Sequence, residues 1–145
     1  MGINGLLEHQ IVGFKKSDQG YAAQLKSDAR ESDVSFDRVM VAVGRKANTD
    51  GLGLEKLGIE VARTGTIKVD EYLRTKYPNI YACGDVAGPY QFTHTAAHQA
   101  WFASVNALFG KFKKFKVDYR VIPWATFCDP EVARVGLSEI EAQVK

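Results

Sequence analysis

Six residues in mid-chain, Ile80-Tyr81-Ala82-Cys83-Gly84-Asp85, followed after a short loop by an alanine-rich stretch from Thr93 to Phe109, constrain the fold more than any other feature. Pro78-Asn79 marks a turn, and the apolar run behind it reads as a buried strand. The stretch 93–109 has helical periodicity and predicts a helix. A strand ending in Gly-Asp just before a helix start is where open α/β sheets take ligands, here an arrangement suited to gripping a dinucleotide. Glycine admits a close backbone approach, and aspartate can accept two sugar hydroxyls. The helix start offers unpaired N–H groups and a positive dipole end.

The rest of the chain predicts an α/β fold with mixed strands and helices. Gln10–Phe14 and Tyr21–Lys26 read as a hairpin around the polar turn 15–20. Phe36–Val43 ends in a continuous apolar run, expected of a strand buried on both faces of a parallel sheet and terminated by Gly44-Arg45. Between Gly51, Gly53 and Gly58 there is room for one helical turn. Thr66–Asp70 alternates as a strand. In the helix 93–109, Ala97, Trp101 and Val105 share a face, with Ala96, Ala100, Ser104 and Leu108 beside them. This broad stripe of small residues is expected to approach a sheet or cofactor, with Gly110 as C-terminal cap. Tyr119–Phe127 predicts a strand with Pro123 at an edge or bulge, Glu131–Val135 another, and Ser138 the N-cap of a last short helix. That helix, and the glycine-rich stretch 1–7, give both ends the look of pieces of a larger architecture with exposed apolar surface.

Asp85 is the strongest candidate for ligand contact; the competing reading is a carboxylate capping its own turn through the amides of Val86 or Ala87. The amides of Thr93, His94 and Thr95 form a second candidate, able to stabilise negative charge on a heterocyclic carbonyl oxygen such as a flavin's. Gly44 is equally a turn residue or a point of close approach for a nicotinamide dinucleotide. Arg45 is expected in a salt bridge or cap. His94 and His98 are four apart, but no glutamate lies between them and no third ligand is evident, so no metal site is expected. Gly-x-Ser-x-Gly, Walker and paired-carboxylate patterns are absent from the sequence.

Hydrophobic residues make up 46% and charged residues 25% of the chain, ordinary globular usage that argues against disorder. No apolar run approaches 18 residues, and the first ten residues lack a basic-then-apolar pattern, so neither a membrane span nor a secretory signal is expected. A net charge of +2 gives no argument for nucleic acid. The one basic-aromatic cluster, Lys111 to Lys116 with Phe112 and Phe115, reads as a solvated turn docked by its aromatics, ahead of a nucleic-acid or membrane-surface binder. Cys83 and Cys128, 45 positions apart, form neither a redox pair nor half a zinc site and fit a reducing, cytoplasmic compartment.

Taken in order, Val41 to Thr49, Leu54 to Ile59, Ile67 to Asp70 and Ile80 to Val86 resemble the flavin-dependent pyridine nucleotide–disulfide oxidoreductases, the group of dihydrolipoamide dehydrogenase, glutathione reductase and mercuric reductase. Gln91 to Ala97 is similar to the family's helix start beneath the flavin, closest to the mercuric reductase branch. Ile122 to Glu139 resembles the opening of its dimerisation domain. The resemblance implies the tail of a nicotinamide-binding domain (1–46), the second segment of an FAD-binding domain (47–117) and the start of an α+β dimerisation domain (118–145). It implies FAD and NAD(P) as the parent's cofactors. Asp85 and Gly84 would lie at the ribityl or phosphate region, the Phe92, Thr93 and His94 backbone at the flavin, and Gly44 along the nicotinamide path. It also implies a homodimeric parent.

Departures from the family pattern bear on activity. The Gly-x-Gly-x-x-Gly loops, the Cys-x-x-x-x-Cys pair and the terminal His-Pro…Glu region are absent from this sequence, and Lys46-Ala47 stands where x-Pro is usual. No residue here is therefore assigned a catalytic role, and the chain by itself is expected to be inactive. The resulting expectation is a piece of an FAD-dependent enzyme passing electrons from NAD(P)H to a disulfide or related acceptor. The alternative is a non-catalytic module supplying part of a cofactor site or a dimer surface, oligomerising through exposed apolar ends.

Overall fold

Strands in this protein pair with their nearest neighbours along the chain. The computed structural model describes residues 2–18, 20–28 and 30–144, and these divide into two units, one ending at Val43 and the other beginning at Gly44.

The first unit is an antiparallel meander of β1 (Gln10–Ser17), β2 (Gly20–Lys26) and β3 (Glu31–Phe36), in that order across the sheet. The expected hairpin is its first two strands; Gln19, within the predicted turn, lies outside the described residues. The register shifts between Ile11 and Gly13, and a Cβ on Gly13 would sit 2.9 Å from Gln24 Oε1. Ala23 and Leu25 are buried, while Phe36 packs edge-on to Phe14 and stacks on Tyr21, with ring centroids 5.9 and 6.0 Å apart.

One expectation fails here. Phe36 ends β3, residues 38–42 have no regular structure, and Met40, Val41 and Val43 are exposed. The strand forms instead over Glu31–Phe36, which the short connection from Lys26 returns directly alongside β2. A parallel strand over 39–43 needs flanking partners, and none is present among the described residues.

The second unit holds two small cores. Leu54, Ile59, Ile67 and Ala82 form one; Leu73, Ala103 and Val117 form the other. Helix α1 (Leu54–Leu57) is the expected single turn, bounded by Gly53 and Gly58, both left-handed. The predicted strands Thr66–Asp70 and Ile80–Cys83 are not strands; each contributes only an isolated bridge, Val61 with Ile67 and Arg74 with Tyr81. Cys83, expected in a buried strand, is half-buried beside the second core.

Helix α2 (Thr93–Phe109) has the predicted limits. Gly110 is its C-cap, in a right-handed conformation, and a Cβ there would stand 2.3 Å from the Asn106 carbonyl oxygen. The buried face is not the predicted one. Thr95, Gln99, Ala103 and Asn106 are buried, whereas Ala97, Trp101, Ser104 and Leu108 are exposed. Gln99 and Asn106 turn inward because surrounding loops meet their hydrogen-bonding groups.

Strands β4 (Pro123–Thr126) and β5 (Val132–Val135) form an antiparallel pair, with Pro123 as first residue of its strand. Ser138 caps α3 (Glu139–Gln143) in a capping box with Glu141. The observed fold is thus mixed α and β. Among the described residues, no helix is long and apolar enough to cross a membrane.

Candidate functional site

Gly84–Val86 is a single 3-10 turn leaving an extended Cys83. Gly84 is buried with φ of +76°, a conformation that costs an L side chain about 1–2 kcal/mol. A Cβ there would lie 3.3 Å from the Ala96 methyl, so glycine also sets how closely the turn approaches α2. The amides of Ala87 and Gly88 both donate to the Gly84 carbonyl, at 2.9 and 3.1 Å.

The Asp85 carboxylate caps neither Val86 nor Ala87. It faces Arg45, whose Nη1 lies 3.4 Å from Oδ2 and donates to the Gln91 carbonyl at 2.9 Å. One guanidinium nitrogen thereby holds the carboxylate near the chain entering α2. The salt bridge expected for Arg45 is present; the Asp85 side chain keeps 39% of its surface exposed, leaving acceptor capacity for a ligand. Gly44 precedes Arg45 with φ of +119°, exposed and with open space where a Cβ would be.

No side chain caps the N-terminus of α2, where Phe92 is the extended N-cap residue. Thr93 and His94 are exposed. The rings of Tyr90, Phe92 and His94 stack in series, with centroids 6.2 and 5.3 Å apart. Thr95 is 1% exposed, and its hydroxyl has no hydrogen-bond partner among the described residues. His98 packs edge-on to Phe102. Among the described residues, no group of three His, Cys, Asp or Glu could hold a metal.

Two residues that the pattern of small side chains did not reveal organise this region. Gln99, fully buried, accepts from the Gly84 amide at 2.5 Å through Oε1; its Nε2 donates to the Gly88 carbonyl at 2.6 Å and to the Tyr119 hydroxyl at 2.7 Å. Burial pushes the Tyr119 phenol above its ordinary value, against the lowering influence of its bond with Gln99. Asn106 accepts from the Phe115 amide at 2.8 Å and donates to the carbonyls of Phe115 and Tyr72, at 2.8 and 3.2 Å. The signal available beforehand was Thr95, Gln99 and Asn106 recurring at helical spacing.

The lysine cluster forms a turn engaged with its own surroundings. Lys116 pairs with Glu71 at 2.6 Å, Lys113 lies over Phe115 and Lys114 over Tyr72. Phe115 is half-buried, but Phe112, expected to dock the turn, is 89% exposed.

Residues 1–100 match the family described as Pyridine nucleotide-disulphide oxidoreductase. A dihydrolipoyl dehydrogenase of Chlamydia trachomatis is 44% identical over 98% of the chain, and a mercuric reductase of Staphylococcus aureus 39% identical over 99%. The chain spans 29% and 25% of those two proteins. Among solved structures, LpdA from Mycobacterium tuberculosis aligns with a TM-score of 0.78 and 28% identity, covering 94% of this chain and 28% of that one. The flavoprotein disulfide reductase RclA from Escherichia coli aligns at 0.73 and 28% identity, covering 94% of this chain and 30% of that one.

Proposed function

The chain belongs to the pyridine nucleotide-disulphide oxidoreductase family, and from that premise we propose that it furnishes the Asp85 side of an FAD site in an oxidoreductase passing electrons from NAD(P)H to a disulfide or related acceptor. The family is FAD- and NAD(P)-dependent. FAD, when bound, supplies the two-electron relay between nicotinamide and acceptor.

The observation that carries the reading is the Arg45 bridge, which links the half-exposed Asp85 carboxylate to Gln91 at the uncapped entrance of α2. Acceptor and donors of the kinds a flavin dinucleotide needs are thereby joined by one side chain. The buried Thr95 hydroxyl, without a partner among the described residues, fits a group seated at this helix end. In this reading Asp85 and Gly84 meet the ribityl or phosphate region, the amides of Phe92, Thr93 and His94 face the flavin ring, and Gly44 borders the nicotinamide path.

The same reading divides the chain into nicotinamide-side (1–46), FAD-side (47–117) and interface (118–145) segments, of a protein that works as a cytoplasmic homodimer. The two cysteines present, Cys83 and Cys128, do not form the exchanging thiol pair, so the disulfide chemistry belongs to residues outside this sequence.

Titration of the chain with FAD, followed by flavin fluorescence, tests the proposal. Saturable binding weakened at least about tenfold by Asp85→Ala is expected, the loss of a hydrogen bond to a charged acceptor. Absence of binding, or equal binding by the variant, refutes it.

A further inference from the structure

We propose that Gln99 is the positioning residue of the Asp85 turn and that Tyr119 is its outer anchor. The inference rests on the flavin reading for its functional consequence, but the clasp itself stands on geometry.

Gly84 is the weak point of the turn. Glycine populates many backbone conformations, so its φ of +76° must be selected from outside. Gln99 makes that selection. Its Oε1 takes the Gly84 N–H, and its Nε2 takes the Gly88 carbonyl, so one amide holds both ends of the five-residue segment containing Asp85. The amide is fixed on a 17-residue helix and has no solvent exposure. Both of its donors are used, the second on Tyr119.

An apolar residue of similar length leaves the Gly84 amide and Gly88 carbonyl without their partner. A carboxylate has no proton to give to the Gly88 carbonyl.

Tyr119 extends the clasp. Its hydroxyl receives the Gln99 amide, and its ring packs on Tyr90 at 5.8 Å, the first member of the Tyr90–Phe92–His94 stack. A single residue beyond α2 therefore touches both sides of the candidate site: the turn through Gln99, and the helix entrance through Tyr90.

Gln99→Met and Tyr119→Phe in the full 145-residue chain test this by amide hydrogen exchange and FAD titration, with helix content checked by circular dichroism. For Gln99→Met, exchange at Gly84, Ala87 and Gly88 should quicken at least about tenfold while Ile59 and Phe115 keep their protection. Tyr119→Phe, which retains the ring, should give the same pattern more weakly, and it carries the test should Gln99→Met not fold. FAD binding should weaken about tenfold in Gln99→Met, and adding this change to Asp85→Ala should cost less than about threefold more, because one change acts through the other.

Unchanged exchange at the turn overturns the clasp. Wild-type FAD affinity in a variant with a loosened turn, or fully additive losses with Asp85→Ala, overturns its positioning role. A loosened turn in a chain whose wild type binds no FAD supports the clasp and defeats only the flavin reading.

Discussion

Gln99 and Asn106 lie seven residues apart on one face of α2, and each buried amide ties a different set of loops to the helix. Gln99 takes Gly84, Gly88 and Tyr119; Asn106 takes Tyr72 and Phe115. Seven residues are two helical turns, so the side chains project in nearly the same direction. The helix acts here as a rigid rail bearing two hydrogen-bonded clamps, one at the candidate site and one at the opposite end.

Asn106→Leu keeps the bulk but removes every side-chain bond of the far clamp. The Phe115 amide and two carbonyls lose their partners, and a destabilisation of about 2–4 kcal/mol is expected. Urea unfolding measures it; a loss below about 1 kcal/mol would mean that water replaces these bonds at little cost.

Gly84→Ala should destabilise by about 1–2 kcal/mol from its left-handed φ, with the crowding of Ala96 adding to that figure. Thermal unfolding reads the effect. A neutral or stabilising outcome contradicts the geometry of the turn.

Leu73 is 2% exposed and packs with Ala103 and Val117, although its own φ is +66°. Leu73→Ala empties that small core and should cost about 2–5 kcal/mol, according to how far the surroundings collapse. Chemical denaturation provides the value.

Arg45→Ala removes an ion pair whose partners are 61% and 39% exposed. Screening by water limits the stability change to about 1 kcal/mol. A loss well above this in urea unfolding indicates that the bond to Gln91 holds more of the local structure than proposed.

Acid should weaken the fold through Asp70 and Asp118. Burial alone raises the Asp70 pKa, but the amide and guanidinium of Arg74 and the amide of Tyr72 outweigh it and hold the carboxyl below its ordinary range. Asp118 is lowered to about 2, first by the Arg120 side chain and then by its amide. Both groups bind fewer protons folded than unfolded, so their stabilisation is complete above the unfolded value, about 4, and is lost as pH falls through the folded values. Asp70→Asn should therefore flatten the stability profile below about pH 4, where the folded carboxyl stays ionised after the unfolded one has taken its proton. An unchanged slope removes Asp70 from the account.

Local rules made much of the secondary structure legible. The limits of α2 follow from uninterrupted helical periodicity before Gly110, the turn at Leu54–Leu57 from glycines on either side, and the last helix from Ser138 as its N-cap. The ordered set of short motifs also identified the family, because each piece answers a backbone need that can be read within a few residues. By contrast, the expected strand over 36–43 did not form: an apolar run states a preference for burial but cannot supply the neighbours that pair with it.

The amino-acid sequence by itself determined where helices start and stop, and which Gly-Asp turn stands ahead of a helix entrance. Only the tertiary structure decided which face of α2 turns inward. Gln99 finds its partners 15, 11 and 20 positions away and Arg45 reaches Asp85 across 40, so burying these polar groups became favourable only once folding brought distant backbone atoms within hydrogen-bond reach.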